Sequence, residues 1–154
     1  MIMNRQGVDM QVLSPASSYF FYWMAPEETV EFARWLNDAS AAAVNTSPEP
    51  FVALGSVPMQ DSLKAAVEAE RAVTTLELRG IEIASNVNGR YYDDPGFDPL
   101  WEAVQALDTL VFMHPNQIVG GGGQDEHLDR RKEEYLQRNR PQASRYRVLT
   151  MCEF

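Results

Sequence analysis

Four short apolar runs rich in β-formers punctuate the first 120 residues: 8–14 (VDMQVLS), 51–57 (FVALGSV), 81–84 (IEIA) and 109–113 (TLVFM). Each is closed by a turn signal, in order Pro15, Pro58, the stretch 85–90 (SNVNGR) and His114-Pro115, so each reads as a strand. Between them the period lengthens to that of helices. Pro26 stands at a first helical position with Glu27 and Glu28 in the first turn, where the helix dipole favours acids. Phe32, Trp35, Leu36, Ala39, Ala42 and Ala43 then follow the spacing of one buried face, until Ser47-Pro48 ends the helix. Asp61 is a candidate N-cap for a second helix reaching about Leu76. Its apolar side is expected to be Leu63, Ala66, Val67, Val73 and Leu76, with Glu68, Glu70 and Arg71 in water. Asp98-Pro99 is expected to cap a third helix that buries Leu100, Trp101, Val104 and Leu107.

The strands begin near residues 8, 51, 80 and 109, the rhythm of consecutive βα units. Right-handed crossovers then require a parallel sheet. The expected fold class is α/β, about four parallel strands alternating with helices, and spacing alone leaves a barrel segment and a doubly wound sheet both open. A complete (β/α)₈ barrel takes roughly 200–250 residues, so 154 cannot hold eight units at ordinary loop lengths. The loop after the first strand packs Tyr19, Phe20, Phe21, Tyr22 and Trp23 into five positions, too dense for one helix face, and reads either as bulk packing or as the wall of a pocket.

The pattern fails after Val119. Residues 120–123 are four glycines, which read as a linker because the Gly-Lys-Ser/Thr ending of a phosphate loop is missing. The charge changes with them, from a net −10 over residues 1–120 to +1 over 121–154. Two domains are therefore expected: 1–119 as the folded unit, and 120–154 as a Gly-rich linker with a charged, mobile tail. In that tail 127–138 has helix formers but only a narrow apolar stripe, and strand character returns only at 146–151.

The overall charge of −9 disfavours a nucleic-acid partner. No run approaches 18 apolar residues and no signal peptide is visible, so no membrane association is expected. A single cysteine, Cys152, can close no intrachain disulfide and suggests a cytoplasmic setting. No serine sits in a nucleophile elbow. Asp93 and Asp94 precede Pro95-Gly96 and read as a turn rather than an acid/base pair. Asn86 and Asn88, at a strand end, are candidates for binding a substrate carboxylate, against the commoner role of asparagine in closing its own turn. His114, also at a strand end, is a candidate metal ligand, whereas His127 in its hydrophilic setting reads as a solvated side chain.

In order and spacing, the segments GVDMQVLSP, FVALGSVPMQD, LRGIEIASNVNGRYYDDPGFDPLWEAV and VFMHP resemble the amidohydrolase-related family that includes aminocarboxymuconate semialdehyde decarboxylase. The resemblance covers about residues 5–119 and rests on the strand-end motifs VPMQD, NVNG, DDPGFDP and HP. It implies part of a TIM (β/α)₈ barrel of the metal-dependent hydrolase type, strands two to five. It also implies decarboxylation, or more distantly hydrolysis, of small unsaturated or aromatic carboxylic acids, with zinc or another divalent metal. His114 matches the histidine ligand after barrel strand five. The family's His-x-His pair, its histidine after strand six and its aspartate after strand eight have no matching positions, so the metal is expected to be weakly held or absent in this chain alone, and no catalytic residue is assigned. Where the family commonly closes the helix before strand five with glycine, this chain has Asp108, which is left to cap it in left-handed geometry. The rival expectation is an inactive or complementing piece that self-associates through open sheet edges. A flavodoxin-like binding module is a third.

Overall fold

The computed structural model describes residues 7–46 and 49–114, together with the backbone of 147–150. Strand β1 (Gln11–Leu13) is followed by a 3-10 turn (Ser17–Tyr19) and helix α1 (Pro26–Thr46). Then come β2 (Phe51–Ala53), β3 (Gly55–Ser56), α2 (Ser62–Thr74), β4 (Gly80–Ala84), a 3-10 turn (Pro95–Phe97), α3 (Asp98–Ala106), β5 (Leu110–His114) and β6 (Arg147–Thr150). Every strand pairing is parallel: β1 lies on β2, and β3, β4, β5 and β6 follow one another in a second sheet. This is the α/β pattern expected, a partial barrel that does not close among the described residues. The boundary placed at 119/120, the glycine run and the 127–138 stretch lie outside them, as do His127 and Cys152. Within the sequence taken as tail, residues 147–150 run alongside β5, with Arg147 opposite Leu110 and Thr150 opposite Met113.

The second expected strand is broken in two. Leu54 donates its N–H to Leu13 O at 2.9 Å, the last bond to the β1 side. One step further along that edge Ser56 has no strand beside it among the described residues. Its N–H and C=O are met instead by the side chain of Asn37 on α1, at 2.7 and 2.9 Å. A buried backbone amide has to be paired, and here one carboxamide replaces a strand. Asn37 Nδ2 also donates to Glu68 Oε1 at 2.7 Å, and Arg71 grips both carboxylate oxygens of Glu68 at 2.9 and 2.8 Å.

That network corrects the helix faces read from the sequence. Helix α1 buries Thr29, Ala33, Asn37 and Ala41, whereas Trp35 is 66% exposed and Ala39, Ala42 and Ala43 face outward. Helix α2 buries Ser62, Ala65, Glu68, Ala69 and Ala72, leaving Leu63 68% exposed. Small residues at four-residue spacing let each helix lie close on the sheet, and Glu68 is inside because Arg71 and Asn37 neutralise and bond it. Helix α3 does bury Leu100 and Val104, with Trp101 packed against the core.

The ends of the helices follow local chemistry. Pro26 is the first residue of α1, and Asp61 caps α2 by accepting from Lys64 N at 3.1 Å. Asp98 is not a cap but the first residue of α3; Asp94 caps the preceding 3-10 turn through Gly96 N. Asp108 is left-handed, φ 46°, as expected. Its N–H reaches Gln105 O and that of Thr109 reaches Val104 O, a Schellman ending. Gly80 is required by close approach, since a Cβ there would collide with the carbonyl oxygen of Leu110.

Candidate functional site

The chain leaves β1, β3, β4 and β5 at the same end of the parallel array, where βα loops converge. In β4, Ile81 and Ile83 turn toward the helices and pack with Ala65, Ala69, Leu100 and Val104. Glu82 and Ala84 therefore turn to the opposite face, which is the inner face of the barrel. Register places Glu82 beside Ser56 and Phe112, and Ala84 beside His114, the last residue of β5. His114 is thus delivered, half-buried, to the rim of the inner face.

Two tyrosines hold the rim. The Tyr22 hydroxyl accepts from Ala84 N at 3.4 Å, and that of Tyr92 donates to Ala84 O at 2.6 Å. Burial pushes both phenols well above their ordinary range, so they stay protonated. The loop carrying Tyr22 bends sharply at Phe21, φ 47°, and is tied at its far end by Gln60, whose Nε2 donates to Met24 O and Thr29 Oγ1. Across the mouth, residues 87–90 form a tight turn in which Val87 and Arg90 exchange N–H to O bonds of 2.9 Å around Asn88 and Gly89, both at positive φ, the Asn-Gly signature of a type I′ turn.

Between these loops lies a cavity of about 350 Å³. Phe20, Phe21, Tyr22 and Trp23 wall one side, while Ser17, Ser18, Asn86 and Asn88 supply its polar groups. Asn86 Oδ1 accepts from Gly89 N at 3.1 Å, and Asn88 Nδ2 donates to Tyr22 O at 2.7 Å. The two candidates for binding a carboxylate are therefore brought to the cavity, but with these atoms committed to shaping its loops. Asp94 caps its turn and pairs with Arg90 at 2.9 Å, a structural role.

One buried acid facing the site was missed from sequence. Glu82 is 1% exposed, its Oε2 finds no hydrogen-bond partner among the described residues, and burial pushes its carboxyl up to about 7. The available signal was a lone acid between two isoleucines in a strand buried on both faces.

The implied metal does not fit the described residues as a complete site. No group of three His, Cys, Asp or Glu side chains comes together among them, and a metal centre normally takes about three protein ligands. His114 can supply one.

The amidohydrolase family profile matches residues 1–145. The chain belongs to the amidohydrolase family. Within it, the chain is 42% identical over 118 residues to a 2-amino-3-carboxymuconate-6-semialdehyde decarboxylase from Dictyostelium discoideum, covering 77% of this chain and 33% of that one. It is 33% identical to a gamma-resorcylate decarboxylase from Polaromonas sp., covering 74% and 37%. The fold matches the crystal structure of 5-carboxyvanillate decarboxylase from Sphingomonas paucimobilis with a TM-score of 0.71 at 35% identity, over 86% of this chain and 38% of that one. It also matches a dihydroxybenzoic acid decarboxylase from Polaromonas sp. that holds manganese and 2-nitroresorcinol, with a TM-score of 0.69 at 27% identity, over 88% and 41%. The chain spans about a third of the length of the curated amidohydrolase relatives it matches, and the metal in that solved relative is manganese, a divalent metal of the class expected from sequence, where zinc or another divalent ion was named.

Proposed function

We propose that this site belongs to a carboxy-lyase acting on small aromatic or unsaturated carboxylic acids, with His114 as one ligand of a divalent metal, manganese or zinc. The observation that carries this reading is the placement of His114 at the end of β5, in register with Ala84 at the edge of an aromatic-walled cavity. The tyrosines at Ala84 and the clamp from Asn88 to Tyr22 hold that edge still, so a planar acid in the cavity keeps its position relative to His114. A cytoplasmic setting accords with the lone cysteine.

One ligand does not retain a metal firmly, so the chain alone is expected to hold manganese or zinc well below one per chain. One tightly held ion per chain, lost on His114→Ala, contradicts that. The reaction is tested in a chimera carrying residues 7–114 in place of the matching segment of the Dictyostelium discoideum relative. Decarboxylation by the folded chimera that vanishes with His114→Ala supports the reading. A folded, metal-loaded chimera that releases no carbon dioxide overturns it.

A second reading has its own observation. Among the described residues β1 pairs only with β2, and Met10 and Val12 beside that edge are 59% and 51% exposed. Such an edge accepts a strand from another chain, which makes self-association or complementation the alternative role.

A further inference from the structure

Four non-glycine residues among those described hold a positive φ: Phe21, Glu77, Asn88 and Asp108. Glu77 and Asp108 follow α2 and α3, where left-handed residues commonly end a helix. Phe21 and Asn88 end no α-helix. Both wall the cavity, and their loops are joined by the 2.7 Å bond from Asn88 Nδ2 to Tyr22 O. A bulky aromatic in left-handed geometry persists only where its surroundings enforce it, and such residues gather at ligand sites.

The bend at Phe21 sorts consecutive aromatics into two sets. Phe20 and Tyr22 stack inside, their ring centroids 5.5 Å apart and their planes 11° from parallel. Phe21 and Trp23 lie outside, edge to face at 6.0 Å, and Phe21 is braced by Phe32 of α1 at 4.9 Å. Trp23 is 73% exposed and lines the cavity, so a large apolar surface there has no protein side chain covering most of it. Among the described residues no cavity-lining side chain is charged, and Ser17 and Ser18 bring hydroxyls to it. At about 350 Å³ the space is at the small end for ligand sites, enough for a single ring.

We propose that the loop of residues 17–23 is the ring-binding wall of the site: Trp23 stacks on one planar ring, Phe21, set perpendicular to Trp23, meets that ring edge to face, and Ser18 bonds a polar ring substituent. Because the wall carries no charge it reads the ring and not the carboxylate, which is left to the His114 side of the mouth. The inference rests on the carboxylic-acid reading above only in the choice of probe.

The test is calorimetric titration of the full chain with 2,6-dihydroxybenzoate and with resorcinol, the same ring without its carboxylate. Both are expected to bind. Trp23→Ala weakens both by about tenfold, Trp23→Phe recovers most of the loss, and Trp35→Ala changes neither. Trp35 is the control because it is similarly exposed and sits in the same aromatic row, 5.9 Å from Phe32, but does not line the cavity. Unaltered binding by Trp23→Ala overturns the wall, as does binding of neither ring, or of dihydroxybenzoate without resorcinol. Binding of resorcinol alone, lost with Trp23→Ala, keeps the wall and rejects the carboxylic-acid reading.

Discussion

Glu82 occupies a strand in which every residue is buried, and its carboxyl titrates near 7 because ionisation there is opposed by desolvation. Its folded-state value lies above the ordinary 4.5, so the folded protein binds the proton more tightly than the unfolded chain does. Its contribution to stability is then fully present below about 4.5 and is lost as pH rises through about 7, levelling off above that. A shift of this size corresponds to about 3 kcal/mol. Glu82→Gln is expected to remove this slope, leaving the variant more stable than the parent at pH 8 and close to it at pH 4.5. Urea denaturation at the two values checks it. Equal slopes for parent and variant would show that Glu82 is ionised or bonded in the native state. Nothing in the composition marks this residue. The lone acid between Ile81 and Ile83 is the sequence signal, and its meaning becomes clear once those isoleucines are known to face the helices, because alternation then sends Glu82 to the other side.

At the scale of the element, the starts of α1 at Pro26 and α2 after Asp61 and the left-handed close at Asp108 were legible, since each depends on chemistry within a few residues, whereas Asp98 proved the first residue of α3 rather than its cap. Helix faces were not. The pattern of large apolar residues on α1 and α2 pointed outward, while the packed faces are built of alanine, serine, threonine and two buried polar anchors, Asn37 and Glu68. Those anchors could not be recognised without their partners, Ser56 and Arg71, which lie elsewhere in the chain or on a face taken as solvated. Two outcomes follow. Ala69→Leu, overpacking the inner face of α2, is expected to cost about 1–3 kcal/mol, whereas Leu63→Lys on its outer face changes stability by less than about 0.5 kcal/mol. The opposite ranking in thermal melts would restore the face read from sequence. Asp108→Gly relieves the left-handed strain and is expected to stabilise by about 1 kcal/mol, read as a rise in midpoint without a change in denaturant slope.

For the whole molecule, parallel pairing and partial-barrel architecture were legible from the spacing of strands and turns. The site was legible only in outline. His114 could be placed at a strand end, but the cavity beside it depends on the loop after β1 meeting the turn after β4, residues more than sixty apart that only the fold brings together. The side of β1 left unpaired among the described residues, with Met10 and Val12 exposed on it, has a consequence for solution behaviour. Val12→Lys is expected to lower the weight-average mass in sedimentation velocity at a given concentration, because a charge beside the edge resists strand addition. An unchanged distribution means that association, where present, uses another surface.

The order of strands in the larger sheet bears on how the chain comes to be folded. Neighbours β3, β4, β5 and β6 are also successive along the sequence, so each new pairing closes a loop of only about 25–35 residues, and closing such a loop costs little more than closing a shorter one. On a ribosome each strand therefore emerges after the one it must join, and the sheet can grow at one edge as the chain lengthens. Synthesis and assembly run in the same direction, and the β3–β4 pairing that turns Glu82 to the inner face can form before β5, which carries Phe112 and His114, has left the exit tunnel.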